Sequence, residues 1–181
     1  MTTLSIAVSA KDHMQGDHSA ECTLVEYGDY QCPSCGRAYP IVKRVQKHFG
    51  KRLLFVFRNF PLSQLHPWAE TAAETAEFAG ANGKYWEMHD ALFENQERFS
   101  ETFFSELVGE LGLSASGLET ALERETYRAH VKADFSGGVR SGVNGTPTFF
   151  INGQRHNGPY DFEFLSQAIE RGLGAHVLNG E

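Results

Sequence analysis

Apolar positions recur along this chain in two rhythms, and each rhythm predicts an element. Leu4-Ser-Ile-Ala-Val8 alternates and reads as a short first strand. Lys11 to Ala20 is polar, contains Gly16 and Asp17, and reads as a loop. Cys22 to Tyr27 reads as a buried central strand with Cys22, Leu24 and Glu26 on one face. Gly28 and Asp29 break it. A helical stretch then opens at Cys32 and runs to about Phe49, with Tyr39, Ile41, Val42, Val45 and Phe49 as its apolar positions. Pro33 fits the first helical position, where the N–H it lacks would have no partner, and Gly50 suits the helix stop. Arg52 to Arg58 is again strand-like, which completes a βαβ unit with two parallel strands.

Beyond Asn59-Phe-Pro-Leu62 the rhythm is helical for about sixty residues. Trp68 to Ala81 and Lys84 to Phe93 form two helices. Ser100 and Ser114 cap two more, to about Leu111 and Leu122. Glu125 to Val143 reads as a further helix, weakened at Gly137-Gly138, with Tyr127, Val131, Phe135 and Val139 in one apolar stripe. Thr148 to Ile151 is strand-like. Asn152-Gly153 is a hairpin signal that pairs it with Gln154 to Asn157. Asp161 caps a last helix to about Leu173. The division this implies is one α/β domain from residues 1–64 and 125–181, with a helical insertion at 65–124.

Cys32 and Cys35 are three apart at the start of a helix, so they share a face and can close a small disulfide ring. The positive end of the helix favours thiolate, and the thiolate is the nucleophile of disulfide exchange. Cys32 is therefore expected exposed and attacking, and Cys35 shielded and resolving through a mixed disulfide on Cys32. Glu26 is an acid in an apolar strand that would pass beneath the CxxC turn. Burial raises the pKa of such a group, and it is expected to pass a proton to or from Cys35. The competing reading of Glu26 is an edge acid or an ion pair. The competing readings of CxxC are a static disulfide or half a zinc site. Zinc needs four ligands, usually from a second CxxC or an HxxxH, and neither occurs here, so no metal site is expected.

Glu26 to Cys35 with Thr146-Pro147 downstream resembles the thioredoxin superfamily. Phe60-Pro-Leu62, His66-Pro67, Trp86-Glu-Met-His-Asp90 and Gly145-Thr-Pro-Thr-Phe-Phe-Ile-Asn-Gly153 resemble its DsbA-like branch more narrowly, from about residue 20 to the C-terminus. The resemblance implies an α/β thioredoxin fold with a helical insertion, and thiol–disulfide oxidoreductase activity on protein or peptide thiols. It also implies a cis Thr146–Pro147 bond facing the thiols, with the Thr146 backbone pairing an extended substrate. Pro33 and Ser34 set the redox poise. Where well-known members carry His, Ser34 brings no positive charge, so a less depressed Cys32 pKa is expected than in a strong oxidant. Tyr30 and Gln31 are expected to line the substrate groove. Cys22 is expected to be a buried free thiol, and His66 and His89 structural hydrogen-bonders.

A net charge of −7 with no basic cluster argues against nucleic-acid binding. No apolar run reaches membrane-spanning length. Met1 to Asp17 lacks a signal-peptide core, so a cytoplasmic site is expected if Met1 is the native start, and an exported one if the chain was trimmed. No bound cofactor is expected, but a separate redox partner must recycle the pair. Two rival functions remain: a glutathione-dependent transferase or isomerase, which generally lacks the second cysteine, and a non-catalytic CxxC metal-binding or chaperone-like module.

Overall fold

The computed structural model describes residues 2–178. Met1 and residues 179–181, at the outer ends of the α/β segments expected from the sequence, lie outside them. The centre is a five-stranded sheet: β1 (His13–Gly16), β2 (Cys22–Gly28), β3 (Leu53–Asn59), β4 (Thr148–Ile151) and β5 (Gln154–Arg155), in the spatial order β1-β3-β2-β4-β5. The β2 and β3 strands run parallel, joined by helix α1 (Pro33–Phe49), and the other pairings are antiparallel. All seven residues of β3 are buried, and so are six of the seven in β2, as strands covered on both faces require.

Two corrections concern the N-terminal segment. Residues 4–8 are not a strand. They are held by Leu4 N–H donating to the Gly153 carbonyl at 2.8 Å and by a single bridge between Thr3 and Gln154. Leu4 and Val8 pack instead on the core beneath the sheet. The first strand falls inside the polar stretch expected to be a loop, because an edge strand needs only half its side chains covered, and His13, Met14 and Gln15 are half-buried.

Between β3 and the C-terminal strands lie α2 (Ala69–Ala81), α3 (Tyr85–Glu94), a short 3-10 turn (Gln96–Arg98), α4 (Glu101–Glu110), α5 (Ala115–Glu123) and α6 (Arg128–Arg140). Helix α7 (Phe162–Leu178) closes the fold and is longer than expected. Ser100 and Ser114 cap as expected, accepting from Phe103 N–H and Gly117 N–H. The α6 helix starts late because Glu125 takes a left-handed φ of 52°. Its apolar stripe is also displaced, with Val139 53 % exposed while Gly137 and Gly138 are buried. A Cβ at Gly138 would come within 2.7 Å of the Phe60 ring, so this pair is a contact face rather than a weak point.

One core joins Leu24, Phe55, Phe57 and Phe149 of the sheet to Met88, Leu92, Phe103 and Phe104 of the intervening helices. A smaller core lies on the opposite face, around Val25, Tyr27, Val56 and Phe150. Each fully buried Leu or Phe contributes about 1.5–3 kcal/mol, so the intervening helices are anchored to the sheet by a shared core.

Candidate active site

The end of β2, the start of α1 and the loop before β4 converge on the two thiols. Cys32 is the N-cap of α1 and Pro33 its first residue. Cys32 N–H donates to the Asp29 carbonyl at 3.1 Å, which tightens the turn out of β2. Cys35, one turn into the helix, has no exposure. Its Sγ accepts from Asp29 N–H at 3.5 Å. Cys32 is also buried, at 7 % exposure, which corrects the expectation of an open thiol. The loop before β4 covers it: its Sγ donates to the Thr146 carbonyl at 3.5 Å, and the Thr146–Pro147 peptide is cis. Once ionised, Cys32 has no proton to give that carbonyl. The Thr146 hydroxyl is buried and without a hydrogen-bond partner.

Hydrogen bonding decides the electrostatics of Cys32. The neighbouring Cys35 thiol favours the Cys32 thiolate most, with smaller help from Thr146 and the N–H groups of Cys35 and Ser34. Against the opposing effect of desolvation, these pull its pKa from 9.0 to about 5. Cys35 moves the other way, well above the ordinary range, through burial first, then its bond to Cys32 and the nearby charges. Two adjacent thiols thus have their titrations driven apart, so one ionises readily and the other holds its proton.

Glu26 sits between Phe57 of β3 and Phe149 of β4, on the same face of the strand as Cys22 and Leu24. It is 2 % exposed, and its Oε1 has no hydrogen-bond partner. Burial, and then the charge on Cys32, push its pKa up to about 8, so it is a protonated acid at neutral pH. No lysine or arginine pairs with it among the described residues, which removes the ion-pair reading.

The remaining expected residues fall into two groups. Pro33 is exposed, while Ser34, Thr146 and Pro147 are half-buried around the thiols. Ser34 Oγ accepts from Arg37 Nη2 at 2.8 Å, so a guanidinium does stand at this rim, supplied from the next turn of α1. A cleft of about 230 Å³ begins at Pro147 and continues past Arg155, His156 and Tyr160. Tyr30 and Gln31 do not line it. Tyr30 is 1 % exposed and bonds Tyr85 Oη and His89 Nδ1 at 3.2 and 3.0 Å. Gln31 Oε1 accepts from Trp68 N–H at 2.6 Å. Both face the intervening helices, because the chain between Asp29 and Cys32 turns inward. His66 Nδ1 meets Asp29 Oδ2 at 2.7 Å, His89 is buried, and Cys22 is a free buried thiol with its pKa raised to about 11 by burial.

Sequence reasoning missed Gln96. Its Nε2 donates to the carbonyls of Tyr30 and Cys32, at 2.7 and 3.0 Å, and so clamps the CxxC turn from the intervening helices. A Cβ at Gly36 would meet its Oε1 at 2.1 Å, which gives that glycine a reason. A polar residue in a loop between helices carries no signal of such a contact.

The thioredoxin family model matches residues 9–171. A curated relative, named Na(+)/H(+) antiporter NhaA 1, of Salinispora arenicola, is 40 % identical over 159 residues, which are 88 % of this chain and 24 % of the relative. The chain thus spans about a quarter of the length of the curated relatives it matches. Among solved structures, oxidised BdbD from Bacillus subtilis has a TM-score of 0.85 at 25 % identity, covering 96 % of this chain and 100 % of its own. A thioredoxin-like oxidoreductase from Silicibacter pomeroyi has a TM-score of 0.77 at 28 % identity, covering 90 % and 92 %. At 17 % identity, α-DsbA1 of Wolbachia pipientis shares the fold, with a TM-score of 0.85 and full coverage of both chains. A family match over most of the chain and a shared fold from end to end lead to one conclusion: this chain belongs to the thioredoxin family, and its architecture is the DsbA-like one, a thioredoxin fold with a helical insertion.

Proposed function

We propose that this protein is a thiol–disulfide oxidoreductase of protein or peptide substrates, with Cys32 as nucleophile and Cys35 as resolving thiol. The observation that carries the reading is the placement of the two sulfurs: Cys32 caps the start of α1 against the cis Thr146–Pro147 loop, and Cys35 is fully buried one turn in, which pulls the Cys32 pKa down to about 5 and pushes that of Cys35 well up. In the reducing direction, the Cys32 thiolate attacks one sulfur of a substrate disulfide, forming a mixed disulfide and releasing one substrate thiolate. Cys35 then loses its proton and attacks Cys32 Sγ. The Cys32–Cys35 disulfide forms and the second substrate thiolate leaves, so the substrate gains two electrons and the pair loses two. The oxidising direction is the reverse. In the mixed disulfide the Cys32 charge, the second cause of the raised Glu26 pKa, is gone, so Glu26 ionises more readily and as carboxylate takes the Cys35 proton; in the oxidising direction neutral Glu26 returns that proton to the departing Cys35 thiolate. Pro33, Ser34, Thr146 and Pro147 form the face on which an extended substrate lies, its backbone pairing with Thr146.

A recycling partner is required, since each turnover leaves the pair in the opposite redox state. Because the Salinispora relative is named as an antiporter and this chain matches 24 % of it, thiols of membrane proteins belong among the substrates to assay. The test is turnover of a dithiol–disulfide peptide pair. Cys32→Ser is expected to abolish it, and Cys35→Ser to accumulate a mixed disulfide on Cys32. Turnover unchanged in Cys32→Ser overturns the reading and favours a non-catalytic module.

A further inference from the structure

Glu77 of α2 is 5 % exposed, so its carboxylate needs compensating positive charge. Among the described residues no lysine or arginine reaches it. Arg58, near in sequence to Asn59, is occupied by Asp12 at 2.7 and 3.0 Å and by the carbonyls of Ile6 and Ala7. What faces Glu77 is imidazole. His13 Nε2 of β1 lies 2.8 Å from Oε2, and His130 Nε2 of α6 lies 3.7 Å from Oε1. The same His130 nitrogen lies 3.8 Å from Asp134 Oδ2. Asn59 Nδ2 draws the two acids together, donating to Glu77 Oε1 at 2.8 Å and to Asp134 Oδ2 at 3.2 Å. Two carboxylates and two imidazoles therefore converge.

The spacing is that of a ligand set. One ligand atom from each of His13, Glu77 and His130 lies within 4.8 Å of the other two. Ligand atoms about 2.0–2.2 Å from a tetrahedral zinc stand about 3.3–3.6 Å from one another. His13 Nε2 is hydrogen-bonded to Glu77 Oε2 at 2.8 Å and His130 Nε2 lies 3.7 Å from Oε1, so an ion would replace that hydrogen bond and part the first pair by roughly half an ångström. The 3.7 and 3.8 Å separations at His130 Nε2 are too long for hydrogen bonds, so this nitrogen faces two acids without bonding either. The His13 ring is held by stacking on Tyr85, with centroids 3.4 Å apart. His130 is 36 % exposed, which provides a way in. Mixed imidazole and carboxylate donors suit zinc and its first-row neighbours rather than an all-oxygen cation.

We propose that His13, Glu77 and His130 bind a divalent transition-metal ion, with Asp134 beside it as a further oxygen donor. The ion would tie the edge strand β1 to the inserted helix α2 and to α6, and so would stabilise the junction between sheet and helices without touching the thiols. The experiment uses the full chain stripped by chelator, with Cys32 and Cys35 both replaced by Ser so that CxxC cannot compete. Zinc is titrated by calorimetry and cobalt by visible absorption. The proposal expects one zinc per chain, a rise in melting temperature, and cobalt d–d bands without thiolate charge transfer. Replacing the half-exposed His130 by Ala, which is expected to leave the fold intact, weakens binding by more than about tenfold. Glu77→Gln keeps the shape of the site and removes the charge, with the same expected loss. No zinc bound to the chain lacking Cys32 and Cys35 overturns the proposal and leaves a His13–Glu77 hydrogen bond. So does binding that His130→Ala and Glu77→Gln leave unchanged.

Discussion

Glu26 offers the sharpest quantitative test. Its pKa in the fold is about 8 against an ordinary 4.5, so folding favours its protonated form. That contribution is complete below pH 4.5 and is lost as pH rises through about 8. At pH 7 the solution stands about 2.5 units above the ordinary pKa of 4.5, yet the acid is still held neutral. At about 1.36 kcal/mol per unit, this costs about 3 kcal/mol of stability. Glu26→Gln keeps the shape and removes the titration. Its gain is somewhat smaller, because the new amide also needs buried partners. The assay is urea unfolding of the reduced wild-type and Glu26→Gln proteins between pH 4 and 8. Other titrating groups are common to both and cancel in the difference. The gap should open with pH, reaching roughly 2–3 kcal/mol in favour of the variant at pH 7. It should narrow in the oxidised proteins, because the Cys32 charge is the second cause of the shift. Parallel stability curves across this window would refute a buried neutral Glu26, and with it the proton exchange proposed for Cys35.

Two further predictions follow from the same geometry. The Cys32 thiolate, followed by ultraviolet absorbance, should titrate near pH 5, and Cys35→Ala should raise that midpoint because the Cys35 thiol is the largest cause of the shift. The folded pKa of Cys32 is depressed, so its stabilisation of the reduced form is present above the unfolded value near 9.0 and fades as pH falls through about 5. Gln96→Ala should cost about 2 kcal/mol, roughly 1 kcal/mol for each bond to the carbonyls of Tyr30 and Cys32, read by thermal unfolding. It should also move the Cys32 midpoint, which a purely structural loss elsewhere would not.

The strand–CxxC–helix unit was legible because its signals are local: an apolar run, a proline tolerated only at a helix start, and a glycine at its end. The caps at Ser100 and Ser114 were legible for the same reason. What escaped depends on partners distant in sequence. Residues 4–8 alternate like a strand but find no full ladder, whereas His13 to Gly16 looks polar and pairs with β3 because an edge position accepts half-covered side chains. Gly137-Gly138 looked like a weakness, since nothing in sequence announces that Phe60 packs there. Tyr30 and Gln31 precede Cys32 in sequence, which suggests a shared groove, yet their side chains turn to Tyr85, His89 and Trp68 of the intervening helices. His13, Glu77 and His130 have no motif spacing, because a strand and two helices bring them together.

The measurement that bears most directly on the central claim is the reduction potential of the Cys32–Cys35 pair, by equilibration against glutathione buffers. A Cys32 pKa of about 5 lies between those of thioredoxin, about 7, and DsbA, about 3.5. The account therefore predicts a two-electron transition between about −270 and −120 mV. Failure to form a Cys32–Cys35 disulfide at any buffer ratio, or a pair no easier to reduce than a structural disulfide below about −300 mV, would contradict it.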